Sequence, residues 1–349
     1  MPAGEKLIFL ISQPRAGSTL LQRILAGHPE VHTTAEPWLM LHPIYALREG
    51  GHEAEYDARV SFRALQDFLG TLDGGQAHYI TALRKMALYL YCTSCEQAGR
   101  RYFLDKTPRY YYIIPELASV FPDARFIILL RNPIAVLASI LDTWVKGDWM
   151  RLSRHRDNLL KAPNLLLEGI HLLQGRSIVV HYEHLVSHPT SQIRELCAWL
   201  GLDFSADMLN YATAPAPPGR YGDPTGVNQH SRPTPEGLEK WLQLGRSRQT
   251  RQFAQKYLAA LGPELLAELG YDYAELEARL LRVPCTRGHV SVSWEQVFEC
   301  SGSRWNQLWL ITVELLQKRD FSHAGKQLGR LLTGRWRGGI SSSLQEGSQ

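Results

Sequence analysis

The stretch "LIFLISQPRAGSTLLQRIL", residues 7–25, decides the fold. Five apolar residues precede a short Pro-Arg-Ala-Gly-Ser-Thr turn, and Leu20, Leu21, Ile24 and Leu25 then recur at helical spacing. A buried strand, a Gly-containing loop and a helix form the outline that proteins use to hold phosphate. Gly17 lets the backbone approach an oxyanion, and the N–H groups at the helix start point toward it. Ser18 and Thr19 add hydroxyl donors, and Arg15 adds charge with two-pronged hydrogen bonding. The Lys that a nucleotidase P-loop carries after its second Gly is missing. A well-capped turn with no ligand is the plain alternative, so the rest of the chain must decide.

The segments downstream repeat the alternation. "RYFLDKTP" (101–108), "ARFIILLRNP" (124–133) and "SIVVHYEHLV" (177–186) read as strands. Between and after them, "YYYIIPELASVF", "IAVLASILDTW" and "PTSQIRELCAWLGL" read as helices. Strands alternating with helices predict an α/β fold with a central parallel sheet covered on both faces. Residues 44–99 have a mixed helical pattern and form a helical insertion between strands, with "GGHEAEYDARVSF" and "LDGGQ" as loops. Beyond Asp203, "ATAPAPPGRYGDPTGVNQHSRPTPEG" holds too many Pro and Gly for regular structure, and a loop this long is functional or disordered. Helical patterns return in "LEKWLQL", "RQFAQKYLAALGPELLAELGY" and "RWNQLWLITVELLQKRDFSHAGKQLGRLL", the last resembling a hairpin that turns near Arg319 to Ser322. These patterns predict a main domain over 1–285, a C-terminal helical extension over 286–334 and a disordered tail over 335–349.

At 349 residues with 44% hydrophobic and 21% charged, the chain can bury a full core. A formal net charge of +4 suits an anionic small ligand and falls short of the basic stripe expected of a nucleic-acid binder. The only apolar run near the N-terminus belongs to the first strand, so neither a signal peptide nor a membrane span is expected, and the cytoplasm is the expected location. Five Cys, at 92, 95, 197, 285 and 300, lack disulfide-scaffold spacing. Cys92 and Cys95 form a C-x-x-C on a helix with no second pair at zinc spacing, so no metal site is expected.

"RNPIAVLAS", residues 131–139, repeats the anion theme after another strand: Arg131 leaves the sheet, Pro133 opens the helix and Ser139 follows two turns in. Two such elements in one sheet imply a ligand anionic at both ends. Together they make a specific resemblance. "PRAGSTLL" resembles the loop that binds the 5'-phosphosulfate in sulfotransferases dependent on 3'-phosphoadenosine 5'-phosphosulfate (PAPS), and "RNPIAVLAS" resembles their 3'-phosphate element. "VVHYEHL" is similar to their Tyr-Glu strand end, and "KTP" to their Lys-Thr element. The four occur in family order over roughly residues 7–245, and the pattern is nearest to the bacterial and Golgi-type members, including tyrosylprotein sulfotransferases.

The resemblance implies a P-loop-like three-layer sandwich and an enzyme that moves a sulfuryl group from PAPS to an acceptor hydroxyl without a required metal. By that resemblance Arg15, Ala16, Gly17, Ser18 and Thr19 hold the 5'-phosphosulfate, Arg131 and Ser139 hold the 3'-phosphate, and Tyr182 lies near the adenine. The loop "RYGDPTGVNQHSRP" stands where the family closes a segment over the cofactor but lacks the Arg-Lys-Gly signature of cytosolic members; Arg232 is its candidate contact. Arg15 and Lys106 supply charge to the moving group. Cytosolic members carry a His shortly after the Thr, where this chain has Pro108 and Arg109. Glu36 is the replacement base, eight residues after His28 in "GHPEVHTTAEPW", as the catalytic Glu of tyrosylprotein sulfotransferases follows their His-Pro. A Glu paired with a nearby Arg or capping a helix is its alternative. His32, His42 and His181 are weaker candidates, and Asp105 is read as structural, orienting Lys106.

The expected acceptor is a hydroxylated small molecule, glycolipid or saccharide rather than a protein tyrosine. Trp38, Tyr45, Tyr56, Tyr79 and Tyr89 are candidates for lining its pocket, although aromatics at helical spacing also make core. Trp144, Trp149 and a face with Arg151, Arg154 and Arg156 lie beyond the 3'-phosphate helix, and that face either attracts an acidic acceptor or is solvated. A homodimer is left open. Two rival classes stay in view: a P-loop kinase, which needs the missing Lys and an acidic Mg2+ ligand, and a non-catalytic nucleotide-binding protein, which needs neither Lys106 nor Glu36.

Overall fold

The computed structural model describes residues 3–212, 217–218, 230–286 and 292–298. It begins with β1 (Leu7–Ser12), α1 (Ser18–Ala26), β2 (Val31–Thr33), α2 (Leu41–Tyr45), α3 (Ala58–Gly70), α4 (Gln76–Gln97) and β3 (Tyr102–Lys106). Next come α5 (Ile114–Val120), β4 (Arg125–Leu130), α6 (Pro133–Ile140), α7 (Arg156–Leu160), α8 (Ala162–Leu172) and β5 (Ser177–His181). α9 (Tyr182–Ser187), α10 (Pro189–Leu200), α11 (Arg248–Leu261), α12 (Pro263–Glu268), α13 (Tyr273–Arg282) and α14 (Trp294–Phe298) follow. The expected hairpin after Arg304, the tail after Gly334 and most of the extension lie outside the described residues.

The five strands form one parallel sheet in the order β2-β3-β1-β4-β5. β1 is the central strand, as its unbroken burial requires. Its side chains alternate between two cores: Leu7, Phe9 and Ile11 enter the larger one with α4, α5 and α11, and Ile8 and Leu10 enter the other with α1 and α10. The three-layer α/β expectation therefore holds, and the loops after β1, β3, β4 and β5 gather at the carboxyl ends of the strands, where open parallel sheets bind ligands.

The structure departs from the sequence reading in a few places. Three residues, Val31–Thr33, form an extra edge strand on β3, too short for any alternation to show. α3 starts at Ala58, inside the expected loop, because Asp57 accepts hydrogen bonds from the N–H groups of Arg59 and Val60 and nucleates the turn. The segment after Lys106 is a 3-10 turn over Pro108–Ile113 before α5, not one continuous helix. The last strand stops at His181, so Tyr182 opens a helix. No helix among the described residues is long and apolar enough to cross a membrane.

Candidate active site

The turn after β1 is built on two left-handed residues, Arg15 (φ 72°) and Gly17 (φ 101°). The Ala16 N–H closes the turn on the Gln13 carbonyl at 3.1 Å, and the Ala16 side chain is buried, so this residue shapes the loop and has no N–H to offer an anion. Ser18 and Thr19 open α1 ahead of its first intrahelical bonds, which run from Leu20 and Leu21 to the Gly17 carbonyl. Their N–H groups therefore face the site with the positive end of the helix dipole. Behind the loop, the buried Gln13 donates to the Asn158 carbonyl at 2.9 Å, and Tyr111 donates to the Asn158 side chain at 2.8 Å.

The element after β4 is tied directly to this loop. Asn132 caps α6 by accepting from the N–H groups of Ile134 and Ala135, with Pro133 in the first turn. Arg131 Nη1 donates to the Arg15 carbonyl at 3.0 Å, and its guanidinium lies 4.3 Å from the Tyr182 ring centre. Its Nε is buried without a hydrogen-bond partner among the described residues. Tyr182 in turn covers Gly17 so closely that a Cβ there would stand 2.4 Å from the ring. Ser139 bonds to Arg15, accepting from its Nε at 3.1 Å, rather than sharing a group with Arg131. The two anion elements are thus one surface.

Lys106 and Asp105 are adjacent in β3 and point to opposite faces of the sheet. Lys106 lies on the α1 side, fully buried, with Nζ 2.9 Å from Glu36 Oε1 and 3.5 Å from Thr19 Oγ1. Trp38 Nε1 donates to the other Glu36 oxygen at 3.1 Å, so both oxygens of that carboxylate are held while 17% of the side chain stays exposed. Asp105 does not orient Lys106. It accepts from Tyr91, Thr107 and Tyr110 at 2.6, 2.8 and 3.1 Å, and burial raises its pKa to about 6 against those hydrogen bonds.

Arg15, Gly17, Ser18, Thr19, Glu36, Arg131, Ser139 and Tyr182 line one cleft of about 1280 Å³. Its far wall carries Trp144 and Lys146 from the segment after α6, along with Trp149, Lys240 and Trp241. Trp144 sits in a single π-helical turn, Leu141–Val145, a local irregularity frequent at functional sites. The non-glycine residues with positive φ among those described are Arg15, Trp38 and Lys146, and all three line this cleft. Backbone strain is thus concentrated where ligands would bind.

Other candidates lie elsewhere. Arg232 is exposed, does not line the cleft, and meets Tyr211 only through its carbonyl. His32 bonds to Ser94, with burial and then Arg100 lowering its pKa. His42 is exposed on α2, and His181 faces Tyr271. None of the three lines the cleft. Of the five aromatics proposed for an acceptor pocket only Trp38 does; Tyr45 stacks under Arg48, Tyr79 donates to the Pro43 carbonyl, and Tyr56 and Tyr89 face solvent. Arg151 and Arg156 pair with Asp148 and Asp157. No cluster of metal-ligating side chains occurs among the described residues.

Two residues escaped the sequence reading. Arg109, where cytosolic sulfotransferases carry their His, lines the cleft with its guanidinium 5.4 Å from the Trp38 ring. Glu183 accepts from the Asn132 N–H at 2.9 Å and from Tyr271 at 3.1 Å, tying β5 to the start of α6. The Tyr-Glu pair was visible, but Tyr271 lies far away in sequence.

The chain matches the model of the sulfotransferase family over residues 8–206. It is 29% identical over 318 residues to the nodulation protein NoeE of Sinorhizobium fredii, covering 84% of this chain and 72% of that one. It is 26% identical over 274 residues to protein-tyrosine sulfotransferase 1 of Danio rerio, covering 76% of this chain and 72% of that one. A solved sulfotransferase domain from the curacin biosynthetic pathway superposes with a TM-score of 0.48 at 22% identity, over 67% of this chain and 89% of that one.

Proposed function

We propose, since the chain belongs to the sulfotransferase family, that it transfers a sulfuryl group from PAPS to the hydroxyl of a small molecule, glycolipid or saccharide, with Glu36 as the base. The observation that carries this reading is the Glu36 carboxylate, held between Lys106 and Trp38 at the edge of the phosphate loop. Arg15, Gly17, Ser18 and Thr19 bind the 5'-phosphosulfate, and Arg131 with Ser139 binds the 3'-phosphate.

In the reaction, Glu36 takes the acceptor's hydroxyl proton as the acceptor oxygen forms its bond to sulfur. The bond from sulfur to the bridging phosphate oxygen breaks, and that oxygen leaves with its electron pair on adenosine 3',5'-bisphosphate. Charge grows on the leaving phosphate, which Arg15 and the N–H groups at the α1 N-terminus stabilise in this reading. Lys106 contributes charge from behind Glu36 and Thr19. As the donor's negative charge arrives, the ammonium has a second anion to serve, and its hold on Glu36 weakens as the proton must move. Trp38 keeps the carboxylate aimed at the cleft.

The test is incubation of the full chain with PAPS and a panel of alcohols, saccharides, glycolipids and tyrosine peptides, read by mass spectrometry. A gain of about 80 Da on a non-peptide acceptor, the mass of one sulfuryl group, without added magnesium is the expected result. Sulfation of the tyrosine peptides alone would overturn the acceptor assignment. Transfer of phosphate from a nucleoside triphosphate would overturn the reaction.

A further inference from the structure

The strand order divides the cleft in two. The phosphate loop after β1, Arg131 and Ser139 after β4 and Tyr182 after β5 form the donor side of the proposed reaction. On the other side, Glu36 and Trp38 follow β2, and Lys106 ends β3 with Arg109 just beyond it. The arginines among the described residues that line the cleft are Arg15, Arg109 and Arg131. Arg15 donates to Ser139, and Arg131 donates to the Arg15 carbonyl. Arg109 is half-buried and makes no hydrogen bond or ion pair among the described residues; it lies over the Trp38 ring at 5.4 Å. An aromatic face attracts the cation but offers no oxygen to its five N–H donors. The acids nearby are already engaged: Glu36 is held by Lys106 and Trp38, and Asp157 by Lys161 and Tyr112. Asp142 follows α6 and Glu236 precedes the 3-10 turn Lys240–Arg246, and neither pairs with Arg109. Burial, then the charges of Arg109 and Arg154, lower the His155 pKa to about 4, so this neighbour is neutral as well.

We propose, on the basis of the PAPS-transfer reading above, that Arg109 binds a carboxylate of the acceptor, and that the acceptor is an acidic saccharide with carboxylate and reacting hydroxyl on one sugar ring. A single indole separates the two groups that would meet it. Trp38 donates to Glu36 Oε2 at 3.1 Å through Nε1, and the Arg109 guanidinium stands over the same ring. A hydroxyl presented to Glu36 therefore has Arg109 about one sugar ring away, and a planar carboxylate accepts two parallel N–H bonds from a guanidinium. The platform between them is fixed. Trp38 has a left-handed backbone (φ 53°), and two residues on the Met40 N–H donates at 3.0 Å to the buried Tyr110 hydroxyl, which itself donates to Asp105 at 3.1 Å. Seating a neutral ring here would strip water from Arg109 and return no acceptor, whereas a carboxylate replaces that water with charge-assisted hydrogen bonds.

Initial rates of the full chain with PAPS and three matched acceptors test this: methyl glucuronide, methyl glucoside and methyl glucoside 6-phosphate. The wild type is expected to use the glucuronide with kcat/KM at least about tenfold above the glucoside. Arg109→Gln should lower kcat/KM for the glucuronide at least about tenfold more than for the glucoside, with affinity for adenosine 3',5'-bisphosphate unchanged. Arg109→Lys, which keeps the charge and loses the two-pronged fork, should retain part of the preference. A glucoside used as well as the glucuronide overturns the subsite and leaves PAPS transfer standing. So does a phosphate ester used in preference to the glucuronide, or an Arg109→Gln enzyme that loses both acceptors equally. Sulfation of neither sugar while another alcohol of the panel is sulfated has the same consequence. No sulfation of any acceptor from PAPS removes the transfer reading itself, and the subsite with it.

Discussion

Replacing Gly17 by Ala tests how the two anion elements are joined. Gly17 sits at φ 101°, where a side chain costs about 1–2 kcal/mol of backbone strain. The new methyl would also stand 2.4 and 2.6 Å from two Tyr182 ring carbons, far inside the contact distance of about 3.5–4.0 Å. The ring cannot retreat freely, since the Arg131 guanidinium lies 4.3 Å from its centre and is itself hydrogen-bonded to Arg15. Overpacking of this kind costs about 1–3 kcal/mol, giving about 2–5 kcal/mol in total. Urea denaturation of wild type, Gly17→Ala, Tyr182→Ala and the double variant separates the parts. Removing the ring should abolish the steric part and leave only the backbone part, so the cycle should show a coupling of about 1–3 kcal/mol. Titration calorimetry with adenosine 3',5'-bisphosphate should show Gly17→Ala binding at least about tenfold more weakly, because the displaced ring disturbs Arg131 as well as the loop. A Gly17→Ala protein as stable as wild type, or one equally penalised with and without the Tyr182 ring, refutes this account.

Three further outcomes follow from the same contacts. Asp105, with its pKa raised by burial to about 6, holds its proton in the folded state over a range where the unfolded chain has lost it. Its contribution to stability therefore falls as pH rises from about 4 to 6. The stability of Asp105→Asn relative to wild type should climb by about 3 kcal/mol over that window in denaturation curves, and a flat difference would contradict the assignment. Trp38→Phe keeps the ring beside Arg109 and loses the hydrogen bond to Glu36; kcat should fall about tenfold with the KM for PAPS unchanged, and the loss should vanish in a Glu36→Gln background. Glu183→Ala leaves the Asn132 N–H and the Tyr271 hydroxyl without their acceptor, and should cost about 1.5–3 kcal/mol in unfolding experiments and weaken binding of adenosine 3',5'-bisphosphate.

The sheet was legible because its strands are long apolar runs and its loops carry Gly, Pro and Arg at the strand ends. β2 was not, since three residues cannot show a period. Arg15, Gly17, Ser18 and Thr19 were readable because a single turn places all four. The link between Arg15 and Ser139 was not, for it joins the turn after β1 to α6, whose approach is set by β1 and β4 being neighbours. Asp105 was misread for a related reason: adjacency in sequence suggested a contact with Lys106, while the pleat sends the two side chains to opposite faces. Arg232 was chosen by position in a loop, and position alone could not say that its side chain would face solvent.

The most direct measurement is turnover of Glu36→Gln with PAPS and the acceptor found in the panel, beside calorimetric binding of adenosine 3',5'-bisphosphate to the same protein. Gln retains an oxygen for Lys106, which is fully buried and tolerates no loss of its acceptor, although its amide meets the Trp38 N–H donor to donor. The account predicts nucleotide affinity close to wild type with kcat lower by at least about a hundredfold. Near-wild-type turnover with intact binding would contradict it, leaving Glu36 as a partner for Lys106 and the base still to be found.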